Sequence, residues 1–114
     1  MNTKILGNSG ESKAERFLKG KGLEILQRNY HNSIGEIDLI CYDKKQEEIV
    51  FVEVKTRSGL SCGNPLEAVT PQKQNKIQKT ALVYLKTKRK LNDKFRFDVI
   101  GILGEEIIHI EYAF

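Results

Sequence analysis

Two acidic residues and a lysine lie within apolar, strand-like segments in the middle of the sequence. Asp38 occurs in G-E-I-D-L-I, and Glu53 and Lys55 occur in F-V-E-V-K-T-R, so that the two acids are fifteen positions apart. A carboxylate in such a strand is costly unless it is paired, hydrogen-bonded or bound to a metal. Converging carboxylates suit Mg²⁺ or Mn²⁺, and a neighbouring lysine can orient water and stabilise charge on a phosphate. The three residues are therefore a minimum set for metal-assisted phosphodiester hydrolysis.

The same residues also have a simpler interpretation, because an E-x-K pair commonly forms a salt bridge on a solvent-facing strand. Side chains alternate along a strand, so Glu53 and Lys55 share a face. If the two segments pair as a hairpin through residues 43–48, Asp38 lies beside Glu53. Strand pairing alone does not choose between a surface salt bridge and a metal site.

The elements that would position these residues follow from periodicity and turn signals. Helical spacing predicts a first helix from about residue 8 to 21, and Thr70 followed by Pro71 predicts the start of a second helix. The loop S-G-L-S-C-G-N-P is expected to be mobile. The order αβββαββ predicts an α/β fold in which helices flank a central mixed sheet of about five strands. The predicted strands are residues 23–30, 35–42, 49–57, 95–103 and 107–110.

Length and composition narrow the class of protein. The 114 residues predict one domain, spanning residues 1–114. No apolar run approaches the roughly 20 residues of a membrane-spanning helix, and the N-terminus lacks a signal-peptide core, so we expect a cytoplasmic protein without a membrane partner. The cysteines and histidines have no zinc-site spacing. Both cysteines are expected to be reduced, with Cys41 packed within a strand.

Basic residues are concentrated in one segment. The net charge is +4, but residues 71–96 carry nine lysines and arginines against one acidic residue, which gives this segment a charge of +8. Such asymmetry fits a basic surface that faces a polyanion, although a lysine-rich surface helix explains it equally well. The predicted nucleic-acid-binding residues are Arg57, Lys73, Lys76, Lys88 and Arg89.

Several strings together resemble a known family. The pattern formed by Asp38, Glu53 and Lys55 is similar to the D…(D/E)-x-K motif of restriction-endonuclease-like nucleases. The strings G-E-S-K-A, E-A-V-T-P-Q-K-Q, R-F-D-V-I and H-I-E-Y-A-F extend the match over about residues 7–114. Together they resemble the YraN family of small bacterial proteins, which are similar in fold to archaeal Holliday-junction resolvases.

The resemblance implies a restriction-endonuclease-like central mixed sheet with flanking helices and a metal site at Asp38, Glu53 and Lys55. Asp38 and Glu53 would bind the metal, and the G-E-x-x-A pattern places a third acid at Glu11. Lys55 would position the attacking water, so that Glu11, Asp38, Glu53 and Lys55 form the catalytic set. Glu15, one helical turn later, is the weaker candidate for the third acid.

Three further polar residues have uncertain roles. Glu36 is either an additional acid on the face of the predicted site or a residue at the exposed start of its strand. Asp98, in R-F-D-V-I, is expected to form a structural pair with Arg96 or Arg57 rather than to act in catalysis. His109 is expected to be a packed strand residue, since no partner for it is visible in the sequence.

We therefore predict an endonuclease that depends on Mg²⁺ or Mn²⁺ and hydrolyses DNA, with branched or otherwise structured DNA as the expected substrate. The basic segment would hold the backbone, and Lys73, which matches a basic residue of the family's second helix, would touch a phosphate unless it is merely solvated. Cleavage of a junction requires two sites and hence a homodimer. The alternative is a non-catalytic nucleic-acid-binding or adaptor module that keeps the nuclease fold. A phosphohydrolase of small substrates is disfavoured because no glycine-rich phosphate loop is present.

Overall fold

The computed structural model describes residues 9–57 and 64–114. The predicted mobile loop falls largely on residues 58–63, including Cys62, and so lies outside the described residues. A short 3₁₀ helix at Pro65–Ala68 was not predicted from the sequence. The other elements follow in the expected order, and their bounds are α1 Ser9–Gly20, β1 Leu23–His31, β2 Glu36–Asp43, β3 Glu48–Arg57, α2 Pro71–Thr87, β4 Phe95–Leu103 and β5 Glu106–Ile110.

The five strands form one mixed sheet in the order β1-β2-β3-β4-β5. The pairs β1–β2, β2–β3 and β4–β5 are antiparallel, whereas β3 and β4 are parallel. Helix α2 connects the two parallel strands, which cannot be joined by a tight turn. The α/β fold with a central mixed sheet and flanking helices is therefore confirmed.

The helices cover opposite faces of the sheet. Residues of β3 alternate between two apolar clusters, as the period of a strand requires. On one face α1 packs through Ala14 and Leu18 against a cluster that includes Val50 and Val52. On the other face α2 packs through Ile77, Ala81 and Leu85 against a cluster that includes Ile40, Phe51 and Val99. Because both faces of β3 are covered, a polar side chain in its middle must find partners.

The start of α2 has the capping geometry that the sequence indicates. Thr70 has an extended backbone, and its Oγ1 accepts a hydrogen bond from the backbone N–H of Lys73 at 3.3 Å. Pro71 occupies the first helical position, where the missing N–H is not needed. Just after the end of α1, Gly22 takes a φ of 93°, which is consistent with the predicted end of that helix.

Arg96 is the centre of a buried ion network on the α1 face of the sheet. Its side chain is 1% exposed, and that of Asp98 is fully buried. Arg96 Nε donates to both carboxylate oxygens of Asp98, at 3.1 and 3.2 Å, so Asp98 is paired with Arg96 and not with Arg57. The guanidinium also pairs with three other carboxylates, those of Asp43 at 2.9 Å, Glu48 at 3.1 Å and Glu111 at 3.2 Å.

The same network holds the C-terminal segment and His109. The imidazole is nearly buried, with Nε2 2.7 Å from Asp98 Oδ2 and Nδ1 2.8 Å from Lys21 Nζ. The backbone N–H of Tyr112 donates to Asp98 Oδ1 at 3.1 Å. His109 is thus a packed strand residue as expected, but it has polar partners that lie far from it in the sequence.

Cys41 is fully buried in β2, and burial raises the pKa of its thiol to about 12. The thiol therefore stays protonated at neutral pH, which agrees with the expectation of a reduced, packed cysteine. In the part of the chain that the structure describes, no helix is long and apolar enough to cross a membrane.

We expect replacement of the buried guanidinium to destabilise the fold strongly. Arg96→Met would leave three buried carboxylates without their counter-ion, which costs about 3–5 kcal/mol when one partner of a buried ion pair is removed. Urea unfolding of this variant and of a control variant, Arg16→Met, would measure the change in the free energy of unfolding. Arg16→Met removes the same charge from an exposed position of α1 and should change the free energy of unfolding by less than about 0.5 kcal/mol. Equal effects of the two substitutions would contradict the structural role of Arg96.

Candidate functional site

Asp38 lies where strands β2 and β3 stop pairing. The last residues in register are Leu39 and Val52. Beyond them, the backbone N–H of Val54 donates to Asp38 Oδ2 at 2.7 Å. The carboxylate therefore satisfies a donor of β3 that would otherwise need a partner from the neighbouring strand. This contact places the Asp38 side chain directly beside the following residues of β3.

Glu53 and Lys55 join Asp38 in one polar cluster. The carboxyl groups of Glu53 and Asp38 lie close enough to shift each other's pKa. Lys55 Nζ lies 3.4 Å from Glu53 Oε2, and the two side chains are only 15% and 17% exposed. A solvent-facing salt bridge, the simpler interpretation of the sequence, would leave both side chains largely in water. The three residues predicted from the motif are therefore brought together in a shielded position.

Burial dominates the electrostatics of the two acids. It raises the pKa of Glu53, as does the nearby charge of Asp38, and although Lys55 acts in the opposite direction, the pKa reaches about 7. Burial likewise raises the pKa of Asp38, against the lowering effect of the hydrogen bond from Val54. The raised pKa values of the two carboxyl groups favour a proton on the pair. A bound cation would replace this proton, because it favours the ionised form of both groups.

Glu11 reaches this cluster because α1 approaches β3 closely. A Cβ atom at Gly10 would lie 2.2 Å from Thr56 Oγ1, so a residue with a side chain does not fit at this position without a shift. Burial raises the pKa of Glu11, and the charges of Asp38 and Glu36 raise it further. Glu11 therefore lies near enough to Asp38 to sense its charge, and its role as a site acid stays a prediction.

Glu15 has a different set of partners. Arg28 Nε donates to Glu15 Oε2 at 2.8 Å, Arg28 also pairs through its Nη2, and Lys19 Nζ lies 3.1 Å from Glu15 Oε1. The hydrogen bond from Arg28 lowers the pKa of Glu15 to about 2, with a further contribution from Lys19. The Glu15 carboxylate is already paired with two cations. Glu11 is therefore favoured over Glu15 as the third acid.

A cleft of about 360 Å³ opens beside the acid cluster. Glu53 forms part of its wall, and Lys73 and Lys76 from the first turns of α2 line it as well. Glu36, at the exposed start of β2, lines the same cleft, and its role as an additional acid stays a prediction. The other lining residues are Gly35 and Ile77.

The remaining predicted nucleic-acid-binding residues lie elsewhere. Lys88 and Arg89 follow the C-terminal end of α2, about 20 Å from Lys73 at 1.5 Å of helix rise per residue. Lys88 Nζ lies 5.9 Å from the centre of the Tyr84 ring. Arg57 is exposed at the end of β3, next to residues 58–63. These three residues do not line the described cleft, and their contact with nucleic acid stays a prediction.

A second group of ligand-type side chains occurs in the Arg96 network. One ligand atom each from Asp98, His109 and Glu111 lie within 4.8 Å of one another. Both oxygens of Asp98 already accept hydrogen bonds from Arg96, and His109 Nε2 lies against the same carboxylate. The guanidinium supplies the positive charge that a metal would bring, so this group is a structural network.

The fold and the polar cluster define an α/β protein with a mixed sheet. Two carboxylates and a lysine lie where two neighbouring strands of that sheet stop pairing. The chain belongs to the uncharacterised protein family UPF0102. The sequence model of that family matches residues 10–102. The resemblance to the YraN family, which is the same family, is thereby confirmed.

Relatives of similar length match nearly the whole chain. A UPF0102 protein of Syntrophomonas wolfei is 46% identical over 113 residues, which cover 96% of each chain. A UPF0102 protein of Dictyoglomus turgidum is 42% identical over 115 residues, covering 98% of this chain and 96% of the relative. Among solved structures, a chain of the EndoMS–dsDNA2 complex is similar with a TM-score of 0.43 and 15% identity, over 84% of this chain and 37% of that one.

We expect a side chain at Gly10 to push α1 away from β3. Gly10→Ala should destabilise the protein by about 1–3 kcal/mol, the usual cost of overpacking. Thr56→Ala should relieve that loss in the double variant, because it removes Oγ1, the nearest atom, and leaves the Thr56 Cβ at 3.5 Å from the new methyl group. Gly20→Ala, in the same helix with no atom within 4 Å, is the control and should be neutral or stabilising. Additive effects of the two substitutions in urea unfolding would contradict the close contact.

The acid pair predicts a pH dependence of the metal-free protein. Because the pKa of Glu53 is raised from 4.5 to about 7, its contribution to stability is present below pH 4.5 and is lost as the pH rises through 7. Asp38→Asn removes the neighbouring charge and should reduce this loss, by an amount on the order of 1–2 kcal/mol. Melting temperatures at pH 5 and pH 8 in the presence of EDTA would measure it. An identical pH dependence in wild type and variant would exclude the coupling.

Proposed function

We propose that this protein is a metal-dependent endonuclease that hydrolyses phosphodiester bonds of DNA. The observation that carries the proposal is the shielded pair Asp38–Glu53, both with raised pKa values, next to Lys55 and open to a cleft with two further lysines. Buried acids with perturbed pKa values in a cleft are typical of functional sites. The lysines in the cleft favour an anionic substrate.

The donor set fits a divalent ion that prefers oxygen. Asp38 and Glu53 would hold Mg²⁺ or Mn²⁺, with Glu11 as the third acid at the periphery of the pair. The fit rests on the cost of two adjacent, shielded carboxylates, which a cation offsets and which a proton only partly offsets. When bound, the ion would supply positive charge at the phosphate and increase the acidity of water.

The residues of this chain have separate tasks in the proposed reaction. Lys55 would donate hydrogen bonds to the attacking water and to a phosphate oxygen, because its ammonium carries three donors beside the acid pair. Lys73 and Lys76 would hold the backbone on the opposite side of the cleft. Contacts of this kind are made to phosphates and carry no base information. The proposed substrate is therefore recognised by its shape, with branched or otherwise structured DNA as the candidate.

Two-strand cleavage of a junction would require two such sites, and we propose a homodimer for that activity. The second candidate function is an adaptor that binds nucleic acid without turnover. The basic surface of α2 favours this alternative as much as it favours a nuclease, but such an adaptor has no need of a shielded acid pair with an adjacent lysine.

Cleavage assays would test the proposed function. With Mg²⁺ or Mn²⁺ the wild type should nick a labelled four-way junction or supercoiled plasmid, and EDTA should abolish the reaction. We expect Asp38→Asn, Glu53→Gln and Lys55→Met to lower kcat at least about a hundredfold, the usual effect of removing a transition-state contact. Glu11→Gln should have a smaller effect. Glu24→Gln changes the same charge at an exposed position of β1 and should leave the rate unchanged.

The outcomes separate the two candidate functions. Cleavage by the wild type and by the site variants at the same rate would show that the acid cluster is not the active site. Salt-dependent DNA binding without cleavage, unchanged in Asp38→Asn, would support the adaptor instead.

A further inference from the structure

We propose that Lys76 is a positioning residue that binds a backbone phosphate next to the scissile one, and that Gly35 is needed to direct its side chain there. This inference rests on the proposed nuclease function and deepens it. It assigns one lysine of the basic segment to a defined contact in the cleft, in addition to the general attraction between residues 71–96 and a polyanion.

The side chain of Lys76 lies across the backbone of Gly35. A Cβ atom at Gly35 would lie 3.3 Å from Lys76 Cγ and 3.6 Å from Lys76 Cδ. The same Cβ would lie 2.9 Å from Thr80 Oγ1, which is fully buried and donates to the carbonyl of Lys76 at 2.8 Å. Thr80 therefore cannot move aside easily. A side chain at position 35 would displace the lysine stem or the helix.

The turn before β2 is fastened to α2 at this point. Asn32 Nδ2 donates to the carbonyl of Thr80 at 3.3 Å. Asn32 also closes the turn itself, since its backbone N–H donates to Gly35 O at 3.0 Å and its Oδ1 accepts from Ile34 N at 2.9 Å. Gly35 thus presents a fixed surface to the stem of Lys76, and only the end of that side chain remains free to adjust.

The cleft beside this contact suits a segment of nucleic-acid backbone. Its volume of about 360 Å³ is near the lower end of the range of ligand clefts. A space of this size can take a sugar–phosphate unit of one strand. Glu53 of the proposed active site and Lys76 both line this space. A strand whose scissile phosphate lies at Glu53 would therefore bring an adjacent phosphate to Lys76.

The charge of Lys76 is available for such a contact. The residue is exposed, and no ion pair joins its ammonium to any acid within residues 9–57 and 64–114. By contrast, Lys19 pairs with Glu15, and Lys55 pairs with Glu53. Lys86 is also exposed but lies about 15 Å further along α2, at 1.5 Å per residue. Lys86 is therefore too far from the acid pair to contact a phosphate next to the scissile one.

DNA binding without turnover provides the main test. Fluorescence anisotropy with a labelled four-way junction in EDTA, over a series of salt concentrations, should show weaker binding of Lys76→Met than of the wild type. Loss of one phosphate contact should reduce the slope of log K against log salt by about one. Lys76→Arg keeps the charge and should restore the slope. Lys44→Met removes the same charge from the exposed turn at the other end of β2 and should resemble the wild type.

Cleavage kinetics provide an independent readout. Because a neighbouring phosphate is bound in both ground and transition state, Lys76→Met should raise KM more than it lowers kcat, whereas Lys55→Met should lower kcat. Gly35→Ala should reproduce the binding defect of Lys76→Met if it folds, which its melting temperature would show. If it does not fold, the comparison of Lys76→Met with Lys76→Arg remains decisive.

The failure of this inference can be told apart from the failure of the proposed function. Cleavage by the wild type, with Lys76→Met and Lys44→Met equal in affinity and salt slope, would overturn the role of Lys76 and leave the nuclease intact. Binding without cleavage would overturn the nuclease, while a smaller salt slope for Lys76→Met would still support the phosphate contact. Absence of both binding and cleavage would overturn both proposals.

Discussion

The contact between the Asp38 carboxylate and the backbone N–H of Val54 determines the geometry of the candidate site. It lies where the β2–β3 ladder ends, so a side chain replaces a backbone acceptor and the strands are free to separate. The same contact holds Asp38 against Glu53 and keeps both carboxylates out of bulk water. Burial raises the pKa values of both carboxyl groups in this arrangement, although the hydrogen bond from Val54 by itself lowers that of Asp38.

Two close approaches of backbone to side chain shape the surroundings of the acid pair. Gly10 lets α1 lie against Thr56 of β3, which brings Glu11 toward the acids. Gly35 lets the stem of Lys76 cross the start of β2, which brings a positive charge to the cleft. Glu11 and Lys76 thus approach the acid pair from opposite helices, each next to a contact in which a methyl group would be too large. The site is assembled by packing as well as by charge.

The buried network around Arg96 has a complementary role at a distance from the cleft. It gathers carboxylates from β2, β3 and β4 and from the segment after β5 around one guanidinium. Such a network adds little net free energy of folding, because the cost of desolvating the charges offsets much of their attraction. It does specify which strands are neighbours, since a strand in another order would leave its carboxylate unpaired. The network thereby supports the parallel pairing of β4 with β3. The C-terminal half of β3 carries Glu53 and Lys55.

The order of elements, the capped start of α2 and the placement of Glu53 and Lys55 on one face could all be predicted from the sequence. These are local properties, set by residue spacing and by the preferences of Thr70 and Pro71. Strand alternation together with a hairpin also predicted that Asp38 lies beside Glu53. The tertiary structure alone decided the partners of Glu15 and His109, the 3₁₀ helix, and the contact between Gly35 and Lys76. These depend on packing between segments that are distant in the chain, where spacing carries no information about which atoms meet.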